Sequence, residues 1–152
     1  MAPITTSIDV NRPPGQVFAY VTDPTRFAQW QKGVVNGHMD GDGTPRVGEK
    51  CLTTRRIGFA ERPATSELTH IDPPSTWGVH GVDGPIRAVV EVTVDPLDSG
   101  QRSRVTIAVD FEGHGIGKVL VPSAVRPQAR KEMPGNLATL EQRLEASPAQ
   151  PN

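Results

Sequence analysis

The feature that most constrains this chain is a helical stripe near its C-terminus, placed behind a long run of β-patterned sequence. In RKEMPGNLATLEQRLEA, residues 130–146, Met133, Leu137, Leu140 and Leu144 recur at spacings of four, three and four. Those spacings set the four side chains on one side of an α-helix and leave Glu141, Gln142 and Glu145 on the solvated side. A helix with a single apolar stripe needs a concave partner to cover it. Such a helix is expected to close over a sheet.

The upstream sequence supplies that sheet. Ile4, Thr6, Ile8 and Val10 alternate with Thr5, Ser7 and Asp9, the period of a half-buried first strand. At Pro13-Pro14 the period changes, because this pair can open a helix but not continue a central strand, and Val17, Phe18 and Val21 then share one helical face. Asp23-Pro24 ends that helix, and a second short one is expected through Phe27 and Trp30. From residue 34 to about 111, five connections (MDGDGTPRVG, GFAERP, IDPPST, VDGP and DPLDSGQ) separate six further strands. Most are too short for a crossover helix, so a seven-stranded, mainly antiparallel sheet is expected.

Hairpin registers assign the faces. In the last hairpin, pairing Val92 with Val105, Val90 with Ile107 and Ala88 with Val109 gathers the apolar residues on one inward face. Arg87 then stands opposite Asp110 and Glu91 opposite Thr106, outside, and none of the three is counted as a site residue. Across IDPPST, pairing Ile71 with Thr76 sets Leu68 beside Val79 and turns Ser66, His70 and Trp77 inward, with Glu67 and His80 outside. A pairing of Arg55 near Ala64 would bring Thr53 and Cys51 inward with Arg55.

The order of strand, two short helices, antiparallel meander and long closing helix resembles the START-like helix-grip superfamily, in its polyketide cyclase/dehydrase (SRPBCC) branch. The segments that carry the resemblance are IDVNRPPGQVFAYVTDPTRFAQW, TSELTHIDPPSTWGVHG and RKEMPGNLATLEQRLEA. It implies an α+β helix-grip fold, a curved sheet wrapped around the C-terminal helix, with an elongated apolar cavity between them for a lipid, polyketide or similar molecule. The inward polar candidates are Thr53, Arg55, Ser66 and His70; Trp30, Trp77, Phe111 and Met133 are candidate walls. Each of the four wall residues also has a plain reading as core packing.

Two functions from different classes stay open. One is a carrier or sensor that needs only a cavity lined with few polar groups. The other is a cyclase or dehydratase in which His70 moves a proton and Arg55 holds an oxyanion. The balance favours the carrier, since nothing in the sequence orients His70.

Other chemistries find little support. His38, His70, His80 and His114 are dispersed, with no HExxH and no CxxC, so no metal is expected and no cofactor is called for. GHGIG, residues 113–117, lacks the spacing of a nucleotide-binding loop and is expected to be a hinge or cavity lip. Sixteen basic and seventeen acidic residues spread along the chain predict neither nucleic acid nor anionic membrane as a partner. No apolar run is long enough to insert across a membrane. The single cysteine, Cys51, excludes an internal disulfide, fits a reducing, cytoplasmic setting and is expected to be a buried small hydrophobe. Association into a homodimer is neither supported nor excluded.

With 152 residues, one domain over 1–146 and a disordered tail over 147–152 are expected. Pro127 should lie in the first turn of the closing helix and Pro134 should bend it, with residues 113–125 forming a looser segment able to act as a gate.

Overall fold

A computed structural model describes residues 2–57 and 59–150. Strand β1 (Ile4–Val10) leads into helix α1 (Pro14–Val21), a single 3-10 turn (Pro24–Arg26) and helix α2 (Phe27–Trp30). A meander follows: β2 (Val34–Met39), β3 (Lys50–Ile57), β4 (Ala60–Asp72), β5 (Thr76–Gly81), β6 (Ile86–Leu97) and β7 (Arg102–Gly113). The chain ends with α3 (Gly117–Leu120), a π-helical turn (Val121–Val125) and α4 (Arg126–Ala146). The seven strands form one sheet in the order β1-β7-β6-β5-β4-β3-β2, and every neighbouring pair is antiparallel. This is the helix-grip architecture, a curved sheet closed by the C-terminal helix.

Local chemistry accounts for the helical elements. Pro13, with φ −65° and ψ 152°, directs the chain into α1, and Val17, Phe18 and Val21 are buried on its inner side. Asp23 caps the 3-10 turn by accepting from the backbone N–H of Thr25 at 3.0 Å. On α4 the stripe Met133, Leu137, Leu140 and Leu144 is buried throughout, against inward residues of the sheet such as Val92, Val94, Val105 and Ile107. Burial of this kind stabilises the fold by about 1.5–3 kcal/mol for each large aliphatic side chain.

In the β3–β4 hairpin Arg55 pairs with Arg62, two residues from Ala64, so its face is the expected one, and two further registers differ from the sequence expectation. In the β6–β7 hairpin the pairs are Val92 with Ile107, Val90 with Val109 and Ala88 with Phe111, a shift of two residues. The strands run past Pro96 to a tight turn at Asp98–Gly100, so residues expected in the connection belong to the ladder. A shift of two keeps every side chain on its expected face but changes its partner. Arg87 stands opposite Glu112 instead of Asp110, and Glu91 opposite Ala108. In the β4–β5 hairpin Leu68 pairs with Val79 as expected, but the ladder then slips by one residue, so that His70 faces Gly78 and Ile71 faces Trp77. One extra residue on β4 reverses the faces beyond it. Apolar Ile71 takes the inner place and His70 is turned out.

The segment 113–125, expected to be loose, is mostly regular: β7 reaches Gly113 and helical backbone resumes at Gly117. Gly117 is so close to the Pro85 carbonyl that a Cβ there would collide with it, which pins the start of α3 to the β5–β6 turn. Pro127 lies in the first turn of α4, as expected, and the helix is continuous across Pro134.

The start of α4 is tied to the sheet edge by Arg126, which is only 4% exposed. Its Nη1 donates to Asp110 Oδ1 at 2.8 Å and its Nη2 to the Ala2 carbonyl at 2.6 Å. β1 begins opposite Val109, so β7 from Asp110 onward lacks a neighbour on that side, and Arg126 covers the exposed edge. At the other end Arg12 donates to the carbonyls of Glu145 and Ser147, satisfying groups left free at a helix C-terminus. Residues 147–150, expected to be disordered, lie along α1, where Gln16 donates to Pro148 O and accepts from Gln150 N. The last two residues of the expected tail, 151–152, fall outside the described residues.

Candidate functional site

The register of β3 places Cys51, Thr53 and Arg55 on the concave face, paired with Ser66, Ala64 and Arg62 of β4. Trp77 of β5 and Phe111 of β7 share that face, since Trp77 pairs with Val92 and Phe111 with Ala88. Trp30 enters from α2 and Met133 from α4, both buried. Phe27 joins the two tryptophans, its ring meeting Trp30 and Trp77 edge-on at centroid distances of 6.1 and 6.2 Å. Seven of the eight residues singled out from sequence therefore converge between sheet and helices: Trp30, Thr53, Arg55, Ser66, Trp77, Phe111 and Met133.

His70 does not. It sits on the convex face, where its Nε2 is hydrogen-bonded to Glu91 Oε2. The imidazole and the carboxylate meet above Gly78, and a Cβ at that position would collide with both. A carboxylate does orient His70, on the side of the sheet away from the helix.

The concave face is unevenly filled. Toward the C-terminal half of α4, Leu137, Leu140 and Leu144 pack against Val10, Val94 and Val105 with almost no exposure. Toward its N-terminal half, Thr53, Ser66, Ala88, Val90, Val109 and Phe111 face inward but keep part of their surface accessible. Arg55 is itself exposed to solvent, yet so much protein surrounds it that desolvation lowers its pKa, opposed by the charge of Glu132 on α4. Arg55 is thus a cation that protein surrounds closely and solvent still reaches. Its hydrogen bond from Nη2 to Gln31 Oε1 is long at 3.4 Å and leaves most of the guanidinium fork free among the described residues.

Gln31 and Glu132 were missed by sequence reasoning. Glu132 carried a usable signal, because it precedes Met133 and so flanks the buried stripe, whereas Gln31 had none.

Two further polar groups bear on the interior. The indole N–H of Trp30 is buried and has no hydrogen-bond partner among the described residues, although donors of this kind are ordinarily satisfied. The Cys51 thiol is buried, and desolvation pushes its pKa up to about 11, which keeps it protonated and poorly nucleophilic at neutral pH. A separate groove of about 710 Å³ runs outside, between β1 and α4, where Ile4, Thr6, Arg126, Arg130 and Pro134 line it. It is open to solvent, and none of the inward candidates lines it.

On the convex face His80 Nε2 lies 3.0 Å and His114 Nε2 3.7 Å from Glu112 Oε1. The hydrogen bond from His80 is the main reason the Glu112 carboxyl is held below its ordinary pKa. Among the described residues no helix is long and apolar enough to cross a membrane.

Comparison with known proteins agrees with this architecture. No curated protein matches the chain significantly. Among solved structures, an aromatase/cyclase from Streptomyces sp. R1128 superposes with a TM-score of 0.76 at 13% identity, covering 94% of this chain and 93% of its own. A START superfamily protein from Mycobacterium smegmatis gives 0.75 at 13% identity, with 96% and 99% covered. A protein from Thermus thermophilus gives 0.74 at 16% identity, with 95% and 97% covered. At these identities the likeness concerns the fold. The model of the polyketide cyclase/dehydrase and lipid transport family matches residues 1–145, and the chain belongs to that family.

Proposed function

We propose that this protein binds an apolar small molecule carrying one acidic or carbonyl group, between the concave face of the sheet and the N-terminal half of α4. The observation that carries the reading is Arg55: an inward cation with most of its donors free, set among Thr53, Ser66 and half-covered apolar side chains. A guanidinium in such a cleft is suited to a carboxylate or a polarised carbonyl, which it grips in fork geometry. The Trp30 N–H, unpartnered among the described residues, offers a second donor to an oxygen on the ligand. Trp77, Phe111 and Met133 supply apolar wall. The family's description names lipid transport beside cyclase and dehydrase activity, and a binding role uses each of these groups.

A catalytic role of the kind named for the aromatase/cyclase relative has less support. The proton-transfer step assigned to His70 requires the imidazole to reach the ligand, and His70 projects from the opposite face of the sheet. We therefore favour a carrier or sensor acting in the reducing cytoplasm, where the buried Cys51 thiol would persist.

Trp30 and Trp77 are the chain's two tryptophans, so their fluorescence reports on this region directly. Titration with laurate and with dodecanol should give saturable quenching. Arg55→Met should weaken laurate binding roughly tenfold, the loss expected for one charge-assisted hydrogen bond, with little effect on dodecanol. Ala88→Phe should block both ligands, and His70→Gln neither. Equal effects of Arg55→Met on the two ligands would remove Arg55 from the site. Absence of saturable quenching by either ligand would overturn the binding reading.

A further inference from the structure

The antiparallel topology brings three connections to one end of the sheet: the β3–β4 turn, the β5–β6 turn and the segment from β7 into α3. This is also the end where Arg55, Gln31 and the first turns of α4 meet. Backbone contacts fix the arrangement, with Val82 N donating to Thr65 O, His114 N to Pro85 O and Arg56 N to Gly33 O. β4 first pairs with β5 at Ser66, so residues 60–65 overhang β5 and project the β3–β4 turn by up to about 20 Å.

Large apolar side chains stand exposed on all three connections. Phe59 at the tip of the overhang is fully exposed, Ile116 and Val119 are 68% and 66% exposed, and Val82 is 37% exposed. They account for four of the five large hydrophobic side chains found exposed among the described residues, the fifth being Val47. Exposed cations are interleaved with them. Arg62 follows Phe59 on the overhang and Lys118 lies between Ile116 and Val119, and neither takes part in an ion pair among the described residues. Even dispersal of charge along the sequence predicted no attraction to an anionic membrane, but folding gathers these two cations with four of the five exposed large hydrophobics among the described residues.

We propose that this end docks on an anionic lipid bilayer. Phe59, Val82, Ile116 and Val119 enter the interfacial layer while Arg62 and Lys118 meet lipid phosphates. Apolar tips with flanking cations match the two layers of a bilayer surface in order, apolar deeper and charged shallower. A protein partner would more often present a contiguous patch than side chains on three separate tips. The proposal rests on the binding reading for its purpose, since docking would place the cleft at Arg55 against the source of an apolar ligand. Its test is independent of that reading.

The experiment is co-sedimentation of the full chain with vesicles of phosphatidylcholine alone and of phosphatidylcholine with phosphatidylserine. The expected result is binding that requires phosphatidylserine and weakens with salt. The double variant Phe59→Ser, Ile116→Ser should lower the partition coefficient by at least about tenfold, and Lys118→Glu by about fivefold or more. These side chains are exposed, so thermal unfolding should stay unchanged, and laurate titration of the same variants in solution should match the unsubstituted protein. No partition onto either vesicle would overturn the proposal, as would partition indifferent to the substitutions. Self-association in solution that Phe59→Ser abolishes would reassign the surface to a second copy of this chain. If laurate titration fails while vesicle binding behaves as described, the binding reading falls and the docking surface stands.

Discussion

One extra residue in β4 separates the fate of His70 from that of its neighbours. Leu68 and Ser66 point inward as their alternation predicts, but past the bulge the inner position falls to Ile71, and His70 pairs with Glu91 outside. Alternation could not reveal this, because a bulge is recognised by what the next apolar residue gains from being inside. Ile71 beside Trp77 wins over a histidine that would have had to be desolvated. Cys51 is the reverse case, where the expectation of a small buried hydrophobe holds: it is 3% exposed, and burial pushes its pKa from near 9 to about 11. At pH 8 only about one thiol in a thousand is then ionised in the folded protein, against a substantial fraction in an unfolded chain. Iodoacetamide at pH 8 should label Cys51 at least about a hundredfold more slowly in the native protein than in urea. The linked effect on stability has a fixed sign. A raised pKa leaves stability unaffected below about 9 and reduces it as pH climbs toward 11, because the unfolded chain loses its proton first. Native labelling as fast as in urea would show that the thiol is accessible to reagent.

Periodicity over several turns is the most legible signal in this chain, and α4 illustrates both its reach and its limit. Four apolar positions located the helix and its buried side, Pro127 marked its first turn, and the four apolar side chains are all buried. What spacing could not supply was the bond geometry around Pro134, which is accommodated within a continuous helix. Pro134 removes the N–H that would reach the Arg130 carbonyl and crowds that carbonyl, a cost of about 3 kcal/mol in a helix interior. It also stiffens the unfolded chain, which returns about 1 kcal/mol. Pro134→Ala should therefore stabilise the protein by about 1–2 kcal/mol and raise Tm by a few degrees. Calorimetry decides it: a lower Tm would mean that the ring's fit beside Arg126, Arg130 and Ile4 in the outer groove outweighs the missing hydrogen bond. The β6–β7 hairpin shows a related limit, since shifting its register by two residues keeps valine opposite valine or isoleucine. Pattern alone settled the face, and the turn at Asp98–Gly100 settled the partners.

At the scale of the whole molecule, the seven strands and the closing helix were legible because short connections and alternating periods leave few ways to arrange them. Contacts that join distant segments were not, and Asp110 is the clearest instance. Its expected partner was Arg87 across a hairpin, whereas it meets Arg126, sixteen residues on, over an edge of β7 that β1 leaves uncovered. The two partners are unequally exposed, with side-chain accessibilities of 5% for Arg126 and 39% for Asp110. Removing either one should therefore have different consequences. Asp110→Ala strands a buried guanidinium with the Ala2 carbonyl as its one remaining acceptor among the described residues, and breaking a buried pair in this way costs about 3–5 kcal/mol, less whatever water reaches the site. Arg126→Met removes the charge, keeps much of the apolar volume and leaves a carboxylate that solvent can rehydrate, so the cost should be about 1–2 kcal/mol. In urea unfolding the order of stability should be unsubstituted protein, then Arg126→Met and the double variant close together, then Asp110→Ala. If Asp110→Ala were the milder of the two single changes, the guanidinium would have to find water or another acceptor when its carboxylate is lost. Arg126 would then act mainly through its bond to Ala2, holding the first strand to the helix and not the helix to the open edge of β7.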